Sequence, residues 1–218
     1  MSIDIKTISI NNWVMRIQRP AGSGSFPVLL MLHGWTGDEN SMWIFSQNLL
    51  KGTLLIAPRG IYKTKVTGYS WHPEITKSWP RISDFMPAVE ALTSTISGNN
   101  FPDGDFSELH IIGFSQGAAL AYTIACVYPS QVASLAVLSG FLPDGATAIL
   151  TPGRLNGLPV FIAHGTEDDL VPVERARTSV GLLQDAGANV IYCEDEVGHK
   201  LSTKCLRALE AFYNKEEC

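Results

Sequence analysis

The chain has 218 residues, 45% of them hydrophobic and 17% charged, which suits one domain with a sizeable core. Its formal net charge of −5 leaves no basic surface to neutralise phosphates, which argues against nucleic acid or an anionic membrane as a partner and in favour of small ligands. Four cysteines, Cys126, Cys193, Cys205 and Cys218, form no CxxC pair, so neither a zinc site nor a disulfide framework is expected and free thiols in a reducing compartment are the simpler reading. Met1-Ser2-Ile3-Asp4-Ile5-Lys6 lacks a basic segment followed by an apolar one, and no later apolar run approaches membrane-spanning length. A cytoplasmic protein is expected.

Residues 6–10 and 13–19 are β-rich runs separated by Asn11-Asn12, a pair that tolerates positive φ, so the chain should open with an antiparallel hairpin. Residues 20–25 form a flexible connector, and residues 27–32 are almost continuously apolar, as a strand buried on both faces of a parallel sheet must be. Similar runs recur at 53–57, 109–112, 134–138, 159–163 and 189–193. Between them lie helical patterns at 40–50, 83–96, 116–127, 173–185 and 201–213. Gly52, Gly98 and Gly187 follow three of these helices, where a left-handed C-cap is expected. Strand and helix alternate, which predicts an α/β architecture with a mainly parallel central sheet and helices on both faces. No repeat, low-complexity stretch or linker divides residues 1–218.

The run Leu109-His110-Ile111-Ile112-Gly113-Phe114-Ser115-Gln116-Gly117-Ala118-Ala119 carries the most chemistry: a strand ends in Gly-x-Ser-x-Gly and a helix of small residues begins. It reads as a nucleophilic serine on a tight strand-to-helix turn, at the helix end whose N–H groups lack intrahelical partners. A serine hydroxyl is a poor nucleophile at neutral pH and needs a histidine base oriented by a carboxylate. In a parallel sheet such groups gather on loops at the carboxyl ends of strands. That rule sets aside His72, in a Trp/Pro-rich connector, and His110, inside a strand. His33 and His164 each end a buried strand and precede glycine, where an imidazole commonly ties loops together. His199 follows Gly198 in the loop after the last strand and is the expected base.

For the carboxylate, the loop His164-Gly165-Thr166-Glu167-Asp168-Asp169-Leu170-Val171-Pro172 offers three acids, and spacing alone does not separate Asp168 from Asp169. The order Ser115, an aspartate, His199 is that of α/β-hydrolases. An oxyanion hole needs a second N–H beside that of Gln116. The loop His33-Gly34-Trp35-Thr36-Gly37-Asp38 leaves a central strand at the same sheet edge, and the Trp35 amide is the candidate.

With Leu32-His33-Gly34, Gly113-Phe114-Ser115-Gln116-Gly117-Ala118, His164-Gly165 followed by Asp168 and Val171-Pro172, and Gly198-His199 in register, the chain resembles the phospholipase/carboxylesterase family of α/β-hydrolases, which includes bacterial carboxylesterases and acyl-protein thioesterases. The resemblance spans roughly residues 27–213. It implies a single α/β-hydrolase domain, selects Asp168 over Asp169, and supports Trp35 and Gln116 as oxyanion donors. Ser70-Trp71 resembles the family segment that lines the acyl site. His72-Pro73-Glu74 and Trp35-Thr36-Gly37-Asp38 depart from the family pattern, which points away from protein thioesters more than from esters.

Residues 140–158 are too few for the large helical lid of many lipases. Trp71, Phe141, Leu142 and Leu170, with Trp35, are expected at the catalytic edge as an apolar acyl groove. The expectation is a serine esterase acting on a small-molecule ester of short to medium acyl chain, with no metal or organic cofactor. Acyltransfer and thioester or lysophospholipid hydrolysis by the same triad are the neighbouring readings, and a non-catalytic binding protein is the distant one. Exposed apolar residues on the hairpin or final helix would permit a homodimer.

Overall fold

Asn11 and Asn12 both take positive φ, 50° and 68°, the combination that a two-residue hairpin turn requires. They join β1 (Asp4–Ile10) to β2 (Trp13–Arg19) with Ile10 opposite Trp13. The computed structural model describes residues 4–46, 49–74 and 78–214. The chain continues through β3 (Phe26–Leu32), β4 (Leu54–Pro58), β5 (Tyr62–Lys63), β6 (Tyr69–Ser70), α1 (Ile82–Thr95), β7 (Gly104–Phe114), α2 (Gln116–Val127), β8 (Ser134–Leu138), β9 (Pro159–Gly165), α3 (Val173–Asp185), β10 (Asn189–Asp195) and α4 (Thr203–Tyr213).

Eight strands form one sheet in the order β1-β2-β4-β3-β7-β8-β9-β10. β2 pairs antiparallel with β1 and β4, and every pairing from β4 to β10 is parallel. Successive side chains of a strand face opposite sides, and the core divides accordingly. Val28, Leu30 and Leu32 join Ile111, Val137 and Ile162 beneath α1, α2 and α3. Leu29 and Met31 join Ile112, Leu138 and Phe161 on the other side, covered by α4 and by Met42, Phe45 and Leu49. The architecture is that of an α/β-hydrolase with an antiparallel hairpin at one edge.

The expected helix at 40–50 is absent from the described part of that segment, where a short 3-10 turn, Trp43–Phe45, stands instead; residues 47 and 48 lie outside the described range. The Asp38 carboxylate accepts hydrogen bonds from the Asn40 N–H at 2.9 Å and the Ser41 hydroxyl at 3.2 Å, and the backbone beyond closes tighter turns, with the Ser41, Trp43 and Phe45 amides on the Asp38, Asn40 and Met42 carbonyls. Of the three expected glycine caps, Gly187 takes φ +94° after α3, with the Ala188 N–H bonded to the Leu183 carbonyl. Gly52 is left-handed within a turn, and Gly98 is not left-handed. Between β8 and β9 the regular structure is one 3-10 turn, Ala146–Ala148, in place of a lid.

The cysteine expectation is corrected for one pair. Cys193 on β10 is disulfide-bonded to Cys205 in α4, their Cα atoms 5.7 Å apart. A separation of twelve residues does not reveal that a strand end and a helix start fold against each other. Cys126 is free and buried in α2, where burial pushes its thiol up to about 12, and Cys218 lies outside the described residues. Among the described residues no helix is long and apolar enough to cross a membrane.

Candidate active site

β7 ends at Phe114 and α2 begins at Gln116, leaving Ser115 between them at φ 53°, ψ −115°. A non-glycine residue at positive φ is strained and persists only where its surroundings hold it. Here the Ser115 N–H donates to the Leu138 carbonyl at 2.9 Å, and the Ser115 carbonyl accepts from the Ala118 and Ala119 amides. The flanking glycines are required by contact: a Cβ on Gly113 would lie 2.3 Å from the Gly117 oxygen, and one on Gly117 would lie 2.2 Å from the Leu32 oxygen. The strand–serine–helix junction therefore packs directly on the end of β3.

Asp168 is buried, whereas Glu167 and Asp169 beside it are exposed. Its Oδ1 accepts the Leu170 and Val171 N–H groups at 3.0 and 2.9 Å, a turn that fixes the carboxylate. Its Oδ2 stands 2.7 Å from His199 Nδ1. With Nδ1 on the carboxylate, Nε2 is the nitrogen left for proton exchange. The His199 ring packs against Phe114, centroids 5.0 Å apart, which brings the imidazole to the junction that carries Ser115.

His33 and His164 tie loops together. His164 Nε2 donates to the Val171 carbonyl at 2.8 Å and lies 3.4 Å from Asp168 Oδ2. His33 Nδ1 donates to the Gly34 carbonyl, and its Nε2 accepts the Gly60 N–H at 2.9 Å. His110, on β7, contacts Ser134. Burial lowers the pKa of His33, His72 and His164 and favours their neutral forms.

The loop after β3 lies against Ser115, since a Cβ on Gly34 would be 3.3 Å from Ser115 Cβ. In that loop the Thr36 and Gly37 amides bond to the Tyr69 and Gly34 carbonyls. Trp35 precedes them as Gln116 opens α2, so both expected oxyanion donors stand at the same sheet edge.

A buried network joins these two positions, and the sequence reading missed it. Gln116 Oε1 accepts the Trp71 N–H at 3.0 Å, while its Nε2 donates to Ser70 Oγ and to His72 Nε2, each at 2.9 Å. The Trp71 indole N–H donates to the His33 carbonyl at 2.7 Å. The Gln116 side chain thus grips the segment that also holds the Trp35 loop through Thr36. No periodicity signals such a contact across 45 residues of sequence.

Of the expected substrate contacts, three are buried. Trp71 has no exposed surface and packs under the loop on His33 and Trp13. Phe141 stacks edge-on against Trp79 inside the core, and Leu142 is buried in the same cluster. Leu170 is exposed beside Asp168, and Trp35 is 59% exposed. Two grooves meet at Trp35. One, of about 550 Å³, is lined by Met42, Ile44, Phe45, Phe114, Leu201 and Leu206. The other, of about 720 Å³, is lined by polar groups including Lys63, Ser70, His72 and Gln116.

Among the described residues no cluster of His, Cys, Asp and Glu could hold a metal ion. The sequence matches the profile of the phospholipase/carboxylesterase family over residues 15–216. It is 32% identical over 138 residues to Carboxylesterase SOBER1 of Arabidopsis thaliana, covering 61% of this chain and 59% of that protein. It is 32% identical over 108 residues to Acyl-protein thioesterase 1 of Gibberella zeae, covering 48% of this chain and 46% of that protein. The matches thus span about half to three-fifths of these relatives' length. In fold the chain is similar to the Bacillus cereus carboxylesterase, with a TM-score of 0.83 at 21% identity over 94% of this chain and 95% of that one. A family match over nearly the whole chain, on this sheet, makes the protein a member of the phospholipase/carboxylesterase family.

Proposed function

We propose that this protein is a serine hydrolase that cleaves carboxylic esters of short to medium acyl chain through an acyl-Ser115 intermediate. The observation that carries the proposal is the 2.7 Å contact of His199 Nδ1 with buried Asp168, beside a serine held at positive φ. His199 Nε2 takes the hydroxyl proton as Ser115 Oγ attacks the ester carbonyl, while Asp168 holds the tautomer and stabilises the imidazolium. The Trp35 and Gln116 amides receive the oxyanion, for which one donor is worth about 3 kcal/mol of transition-state stabilisation. The imidazolium returns its proton to the leaving alcohol. Water, deprotonated by the same imidazole, then cleaves the acyl-serine and releases the acid.

The apolar groove between Trp35 and Leu206 suits the acyl chain, and its open form supports short to medium lengths. The likeness to an acyl-protein thioesterase favours thioesters as the second class to test. The proposal places the enzyme in the cytoplasm and its substrate in solution. The test is a panel of activated esters and thioesters of increasing acyl length, run on wild type and Ser115→Ala with fluorophosphonate labelling alongside. Turnover and labelling should both vanish in Ser115→Ala; labelling that survives there refutes the assignment. Rates that climb steadily beyond a dozen carbons refute the chain-length reading.

A further inference from the structure

His199 sits midway in a covalent ring. The Cys193–Cys205 bond closes the loop that carries it, with the histidine six residues from each sulfur. Cys193 pairs with Ala163 in the sheet, and Cys205 is in the first turn of α4, where its N–H donates to the capping Ser202 hydroxyl at 3.1 Å.

The two halves of this loop are held differently. Residues 195–198 are stitched to the aspartate loop, with the Thr166 and Glu167 amides on the Asp195 and Val197 carbonyls. From His199 onward the attachments are the Asp168 contact, the Phe114 ring, the packing of Leu201, the Ser202 hydroxyl on the Asp195 carboxylate and the start of α4, where Lys204 Nζ donates to the Glu194 carbonyl at 3.0 Å. Where α4 begins therefore decides how much freedom the imidazole has. Ser202 caps the helix at that point, and the disulfide is the covalent tie that holds its first turn to β10, beside the Lys204–Glu194 contact.

We propose that Cys193 and Cys205 are positioning residues whose disulfide is a redox-sensitive strap on the His199 loop, making esterase activity depend on a dithiol–disulfide balance. The activity readout rests on the hydrolase reading above. Both cysteines are buried, 8% and 2% exposed, among Phe161, Ala163, Leu209 and Phe212, so the bond resists casual reduction and yields when the loop opens. In reduction a dithiol's thiolate attacks one sulfur, giving a mixed disulfide and a protein thiolate. Its second thiolate closes the reductant's own disulfide ring and expels the other protein sulfur. Two electrons pass to the protein, and each cysteine sulfur takes up one proton.

Protein treated with oxidised glutathione should yield a Cys193–Cys205 linked peptide by mass spectrometry; alkylation of both as free thiols after that treatment overturns the proposal. Reduction with dithiothreitol should lower kcat on p-nitrophenyl butyrate about tenfold, with KM within twofold, because a loosened base misaligns the transition state. Reoxidation should restore it. The Cys193→Ala/Cys205→Ala double variant should stay at the reduced level in either condition, while Cys126→Ala follows wild type. Amide hydrogen exchange should rise in residues 194–202 and stay unchanged in the central strands. Unchanged kcat, or exchange rising across the whole sheet, overturns the strap. If neither redox form turns over ester or labels at Ser115, the hydrolase reading has failed; the peptide map and exchange pattern still judge the strap.

Discussion

Asp168 and Asp169 are adjacent, chemically identical side chains with opposite fates. One accepts two backbone N–H groups and faces His199; the other is exposed. Asp168→Asn should lower kcat by about four orders of magnitude with little change in fold, because an amide cannot hold the imidazole tautomer. Asp169→Asn should stay within twofold of wild type, which steady-state kinetics on one activated ester will check. Trp71 makes the complementary point. Trp71→Phe keeps an aromatic side chain but leaves a void and removes the donor to the His33 carbonyl, so stability should fall by about 1–3 kcal/mol in urea unfolding. Because that carbonyl begins the Trp35 loop, kcat should fall more than KM rises.

Elements follow local rules closely where periodicity and punctuation agree. α2 and α3 occupy 116–127 and 173–185, the spans expected from the sequence, and the two-asparagine turn forms with both φ values positive. α3 offers a paired test. Gly187 follows it at φ +94°, so Gly187→Ala should cost about 1–2 kcal/mol. Gly181 lies inside the helix with open space where a Cβ would go, so Gly181→Ala should gain roughly 0.5–1 kcal/mol by thermal or urea melts. Rules fail where the elements are short turns and two-residue strands. The segment expected to be helical from residue 40 closes i→i+3 turns instead, and β5–β6, two residues per strand, is too short to leave any pattern.

At the scale of the whole molecule, three buried histidines set an acid limit on stability. Burial holds His33, His72 and His164 below their unfolded pKa, so between the folded and unfolded values the unfolded chain binds more protons. Their contribution to stability is complete above about pH 6.5 and declines as pH falls through the folded values. Melting temperature should therefore drop between pH 7 and pH 5. His72→Gln, which keeps a hydrogen-bonding side chain beside Gln116, should flatten that slope.

What the sequence determined by itself was whatever local chemistry encodes: the alternation of buried strands and amphipathic helices, the glycine-flanked serine, and the loops after β9 and β10 that carry Asp168 and His199. Family resemblance, not spacing, distinguished the two aspartates before burial did. Tertiary structure alone decided the rest. It turned Trp71, Phe141 and Leu142 inward although each is apolar and lies near the catalytic edge, since exposure depends on which surface reaches a residue first. It joined Gln116 to Trp71 and Cys193 to Cys205, because a buried amide and a buried sulfur take partners from wherever the packed chain brings them.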